Sequence, residues 1–104
     1  MQKKKFEKNS SIKVKNYLLD KNEKKLIKND KSIILTEKEV QLIELLSKKK
    51  EPLSKNFILS TVWHYSSEAD THTVETHIYR LRKKINKLFE DENFIINTKD
   101  GYKL

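Results

Sequence analysis

The apolar residues of this chain change their spacing twice, and each change marks a different kind of element. Between positions 12 and 35 they come in short runs, at 12–14, 17–19, 26–27 and 33–35. Asp20-Lys21-Asn22 and Asn29-Asp30-Lys31 separate the later runs with turn-prone residues, so the pattern predicts a small antiparallel β-meander. From position 40 the spacing becomes helical. Thr36-Glu37-Lys38-Glu39 has the form of a capping box, and Leu35 and Val40 are placed as a hydrophobic staple around it. Val40, Leu42, Ile43, Leu45 and Leu46 then predict a helix to about Lys49, broken by Glu51-Pro52-Leu53. Ser54 is placed to cap a second helix, which buries Ile58, Leu59, Val62 and Trp63.

A third helix is the most informative stretch. Val74, Ile78, Leu81, Ile85 and Leu88 recur at steps of four and three, which puts them on one side of a helix that Asp70 or Thr71 caps and that fades near residues 90–93. The opposite side carries His72, Thr76, Tyr79 and Lys83, flanked by Arg80, Arg82, Lys84 and Lys87. Phe94-Ile95-Ile96-Asn97-Thr98 then reads as a strand. Asp100-Gly101 reads as a type I′ turn with positive φ at both positions, returning Tyr102-Lys103-Leu104 as the partner strand. The order predicts an α+β domain: an N-terminal antiparallel sheet, three helices and a C-terminal hairpin, a winged helix-turn-helix.

Composition narrows the partner. The chain has 104 residues, with 23 Lys+Arg against 15 Asp+Glu, a formal charge of +8. That suits one domain with a polyanionic partner. Residues 1–11 are polar and basic and read as an arm or linker remnant, with the folded domain over 12–104. The chain has no cysteine, which excludes disulfides and thiolate metal sites. No apolar run approaches the roughly 18 residues of a membrane span, and no secretory signal follows Met1. The expected location is the cytosol, at the nucleoid.

In a helix-turn-helix the second helix of the motif enters the major groove. Residues 71–87 would do so here, with His72, Thr76, Tyr79 and Arg80 toward base edges and Arg82, Lys83, Lys84 and Lys87 toward phosphates. The plain alternative is a solvated basic face on an ordinary amphipathic helix. The hairpin tip at Lys99 is placed to reach an adjacent minor groove or its phosphates. The Trp63 ring belongs to the core, with its indole N–H available to a phosphate.

An enzyme would have to recruit His72, Glu75 and His77. The two histidines lie about 140° apart round a helix rather than on one face, as metal-ligating pairs at a four-residue spacing do. Gly101 is the single glycine, so no phosphate-cradling loop exists, and neither a cofactor nor a metal is expected. A protein-interaction module with weak DNA binding is the main rival. Duplex RNA suits the third helix less, because its deep, narrow major groove does not admit one. Membrane-surface binding would need the apolar stripes already committed to a core.

The stretches LTEKEVQLIELL (35–46), Ser54…Val62-Trp63, DTHTVETHIYRLRKKI (70–85) and Ile96-Asn97-Thr98…Gly101-Tyr102-Lys103-Leu104 together resemble the DNA-binding domain of OmpR/PhoB-type response regulators, over residues 12–104. The resemblance implies DNA contacts at Trp63, His72, His77, Tyr79, Arg80, Arg82, Lys83, Thr98 and Tyr102. Tyr79 falls at a variable position and would set sequence preference, whereas His77 would pack and contact phosphate. The resemblance also implies a polymerase-contacting loop at 64–70 and head-to-tail occupation of direct repeats by two copies. The family's usual wing, T-V-R-G-x-G-Y, is two residues longer than Thr98-Lys99-Asp100-Gly101-Tyr102, and Lys99 is the candidate for its missing arginine. No segment here supplies a phosphorylatable receiver domain. The reading is therefore either a stand-alone effector domain or part of a two-component regulator.

Overall fold

The computed structural model describes residues 11–64 and 70–104. Four strands, β1 (Ser11–Val14), β2 (Tyr17–Asp20), β3 (Lys25–Lys28) and β4 (Lys31–Ile34), form an antiparallel meander in chain order. The register puts Ile12, Leu19, Leu26 and Ile33 in one row across the sheet. Strand side chains alternate between faces, so this whole row points at the core. Leu19 and Leu26 are fully buried there. The Asp20 carboxylate accepts from the amides of Asn22 (3.0 Å) and Glu23 (2.9 Å) and shapes the β2–β3 turn. Asn29, at φ 57°, supplies the left-handed residue of the next turn. Leu35, expected within the fourth strand, lies beyond it, and its buried amide donates to the Lys24 carbonyl at 2.7 Å. Ser11, expected in the arm, opens β1; the rest of the arm lies outside the described residues.

Helix α1 (Glu37–Lys48) starts on the expected capping box: Thr36 Oγ1 accepts from the Glu39 amide (3.1 Å), and Glu39 Oε1 accepts from the Thr36 amide (2.9 Å). Helix α2 (Lys55–Ile58) begins at Ser54, whose hydroxyl accepts from the Phe57 amide at 3.1 Å. It continues as a π-helical turn over Leu59–Trp63 and stops where His64 turns left-handed at φ 61°. Helix α3 (His72–Phe89) has its first amide satisfied by the Asp70 carboxylate at 2.9 Å, and its Thr71 cap makes no side-chain bond. Glu90, at φ 57°, ends it. No described helix is long and apolar enough to cross a membrane.

Residues Val74, Ile78, Leu81 and Ile85 of α3 are buried against Leu42, Ile43 and Leu46 of α1 and Ile58, Leu59 and Val62 of α2 within one core cluster. Each such side chain contributes about 1.5–3 kcal/mol on burial. Leu88 is only partly buried at the C-terminal end of the stripe.

The C-terminal strands are shorter than the sequence suggests: β5 is Ile96–Thr98 and β6 is Gly101–Lys103. Phe94 and Ile95 are both buried and form a bend before the strand begins. The hairpin turn is Lys99–Asp100, because Thr98 pairs with Gly101. Neither turn residue has positive φ, so the expected type I′ turn on Asp100-Gly101 is not formed. Thr98 accepts from the Asp100 amide and donates to the Gly101 carbonyl, both at 3.1 Å, and this builds the turn from a hydroxyl. Gly101 is at φ 140°, and a Cβ there would lie 2.0 Å from the Leu53 carbonyl oxygen. Leu53 and Tyr102 exchange backbone hydrogen bonds of 2.8 and 2.9 Å, fastening the hairpin to the segment between α1 and α2.

Candidate nucleic-acid interface

With one side of α3 wholly buried, its opposite side is presented outward. His72, Tyr79, Arg80, Lys83 and Lys87 are exposed there, and Thr76 is half-buried. Tyr79 is 61% exposed, so its ring and hydroxyl are open to a partner. The Lys83 ammonium stands 5.3 Å from the Tyr79 ring centroid, so aromatic and cation are presented together. Among the described residues, Arg80 and Lys87 form neither an ion pair nor a side-chain hydrogen bond.

The flanks of the helix are engaged internally. Arg82 donates to the Ile95 carbonyl at 2.6 Å, fixing the base of the hairpin to α3. Lys84 donates to Glu39 Oε1 at 2.8 Å and to the Ile34 carbonyl at 3.1 Å. His77 donates from Nδ1 to the Thr73 carbonyl at 2.9 Å, and its ring meets the partly buried Trp63 ring at 4.8 Å and 61°. Trp63 and His77 thus form an aromatic contact between α2 and α3.

At the start of α3, Glu75 is paired with Lys55 of α2 and lies 3.3 Å from His72 Nδ1. The hydrogen bond from Lys55 holds the Glu75 carboxyl below the usual carboxylate range, and Glu75 in turn raises the Lys55 ammonium. Lys55, Asn56, Thr71, Thr98 and Lys99 rim an open cleft of about 380 Å³ between the starts of α2 and α3 and the hairpin tip. Lys55 and Asn56 join this cleft from the exposed side of α2, which the apolar pattern of that helix does not mark. Their signal was their place directly after the Ser54 cap, beside the first turn of α3.

Of the residues singled out in the sequence, His72, Thr76, Tyr79, Arg80, Lys83 and Lys87 share one surface. Lys99 lies exposed at the hairpin tip, and Thr98 is half-buried with its hydroxyl used in the turn. Tyr102 is in the core, 6% exposed. Of the loop expected to meet polymerase, residues 65–69 lie outside the described residues.

A four-stranded sheet, three helices and a closing hairpin, with a basic helix face beside the hairpin tip, define a winged-helix DNA-binding domain. Residues 30–104 match the family model for the C-terminal domain of transcriptional regulatory proteins. The chain belongs to that family, as the OmpR/PhoB-type resemblance led us to expect. It is 34% identical over 56 residues to the transcriptional regulatory protein SrrA of Staphylococcus aureus, covering 54% of this chain and 23% of SrrA. The match thus spans about a quarter of that relative's length. Among solved structures, the DNA-binding domain of E. coli CadC superposes with a TM-score of 0.78 at 26% identity, covering 91% of both chains. The C-terminal domain of the nisin resistance regulator NsrR, a lantibiotic response regulator, superposes with a TM-score of 0.71 at 30% identity, covering 88% of this chain and 94% of that one.

Proposed function

We propose that the domain regulates transcription by binding specific duplex-DNA sites, with α3 lying in the major groove. The observation that carries this reading is the outward face of α3, where Tyr79, Arg80, Lys83 and Lys87 are exposed beside His72 and Thr76. His72, Thr76, Tyr79 and Arg80 read base edges; arginine suits guanine bidentately, and the threonine methyl suits thymine. Lys83, Lys87 and the outer edge of Arg82 meet phosphates, which supply affinity and register. Lys99 approaches the neighbouring backbone from the hairpin tip, and Lys55 does so across the cleft. Tyr102 acts through packing, and Trp63 and His77 seat the helix, with the indole N–H of Trp63 turned to phosphate.

Residues 12–104 act as one DNA-binding unit. Two copies occupy direct repeats head to tail, the 64–70 loop faces RNA polymerase, and the setting is the bacterial cytosol at the nucleoid. The role is that of a non-catalytic effector domain of a response-regulator type. Selection from a random duplex library, with enriched sites titrated at several salt concentrations, tests the reading. Enrichment of a motif repeated at one helical turn is the expected result. Salt-sensitive binding with no enriched motif would overturn sequence-specific recognition.

A further inference from the structure

The basic run on α3 looks uniform in sequence, yet Lys84 is placed unlike its neighbours. At about 100° per residue it leaves the outward face that Lys83 occupies and turns to the flank toward β4 and α1. Its ammonium is held by two acceptors there: Glu39 Oε1 at 2.8 Å and the Ile34 carbonyl at 3.1 Å. Glu39 is buried, with a side chain only 7% exposed. The same Glu39 oxygen accepts the Thr36 amide that closes the cap of α1. A buried carboxylate needs a compensating charge. For Lys84 to swing out to a phosphate, Glu39 would be left with no cation beside it among the described residues. On the opposite flank Arg82 grips Ile95 at 2.6 Å. Between them these contacts hold α3 against the end of β4, the cap of α1 and the base of the hairpin.

We infer that Lys84 is a positioning residue for DNA recognition, not a phosphate contact: by clamping α3 to Glu39 and Ile34 it sets which side chains of α3 face the groove. The inference rests on the major-groove reading above. It separates two lysines adjacent in sequence into different roles, with Lys83 acting on DNA directly and Lys84 acting through the seating of the helix.

The test uses the full chain and measures affinity for a selected site and for a scrambled duplex across a salt series, alongside thermal unfolding. All binding is measured at a temperature where every variant is folded by circular dichroism. For Lys84→Met, the slope of log affinity against log salt stays at the wild-type value while the site-to-scrambled ratio falls about tenfold, the size of losing the alignment of one base contact. Glu39→Gln lowers the ratio similarly, and the double variant loses little more than either single one. Lys84→Arg, which keeps the charge, retains most of the ratio. Lys83→Gln gives the opposite signature, a slope shallower by about 0.9 with the ratio intact. A shallower slope for Lys84→Met would make Lys84 a phosphate contact and overturn the inference. A lowered melting temperature with the ratio unchanged would also overturn it, leaving Lys84 as a purely structural strut. Absence of site preference in the unaltered chain would overturn the DNA-recognition reading as well, whereas a preference that survives Lys84→Met overturns this inference alone.

Discussion

The hydroxyl of Tyr17 donates to Asp91 Oδ2 at 2.8 Å, joining β2 to the segment that leaves α3. The Tyr17 ring also meets Phe89 and Phe94 edge-on, each at 5.0 Å between centroids. Burial, then the bond to Asp91, push the Tyr17 phenol well above its ordinary range. The folded state therefore keeps this proton where the unfolded chain loses it. The group's contribution to stability is complete below about pH 10 and declines as pH rises beyond it. Tyr17→Phe keeps the ring packing and loses the bond, at a cost of about 1.5–3 kcal/mol near neutral pH. It also removes this group's share of the alkaline decline. Urea unfolding at pH 7 and at about pH 10.5 checks both effects.

Glu75 provides the matching prediction on the acid side. Its carboxyl lies below the usual range because Lys55 donates to it. A depressed carboxylate stabilises the fold above its unfolded pKa of about 4.3, and that contribution is lost as pH falls through the folded value. Glu75→Gln is expected to lower the melting temperature at pH 7 only slightly, by the same small amount that acid removes in wild type, since the pair is solvent-accessible. The same variant makes the decline that begins as pH falls below about 4.3 slightly shallower than in wild type. Melting curves across that range show whether the acid limb moves.

Arg80→Ala and Lys87→Ala separate reading from holding. The Arg80 variant is expected to relax preference at one base position and to cost about 1–3 kcal/mol at the best site. The Lys87 variant weakens selected and scrambled duplexes alike, and its salt slope falls by about 0.9. Uniform weakening by Arg80→Ala would reassign that residue to phosphate.

Gly101→Ala tests the hairpin. A Cβ at this position meets the Leu53 carbonyl at 2.0 Å, and φ 140° is itself unfavourable for alanine. The expected loss is about 2–4 kcal/mol by chemical denaturation, with weaker DNA binding wherever the hairpin contributes. Alanine tolerated at wild-type stability would mean that Leu53 and the hairpin are not held this closely.

Much of this fold could be read from local rules. The capping box at Thr36–Glu39, the Ser54 cap and the apolar stripe from Val74 to Ile85 depend on residues within one or two turns, and each forms as expected. What the sequence hid depends on partners far along the chain. Asp100-Gly101 has the composition of a type I′ turn, yet Gly101 is needed because of Leu53, on the linker after α1. Phe94 and Ile95 have strand-forming side chains but are both drawn into the core, Phe94 onto Tyr17. In the same way, Arg80, Arg82, Lys83, Lys84 and Lys87 are one basic run until the fold assigns two of them to Ile95 and Glu39. Charge patterning marked the basic side of α3. Tertiary geometry shows that two of its charges are held by groups of the fold itself.

The reciprocal hydrogen bonds between Leu53 and Tyr102 give the domain the character of a gauge. Leu53 leads directly into the Ser54 cap of α2, so the hairpin and the helical pair are joined at one bracket. In the proposed complex, with α3 in a major groove, the hairpin tip would fall at a set distance and angle from it. A duplex whose local groove width and twist match that distance is engaged at both points without distortion. One that does not match must be deformed to fit, at an energy set by its own stiffness. If α3 lies in the major groove as proposed, the bracket would extend discrimination to base pairs that no side chain touches.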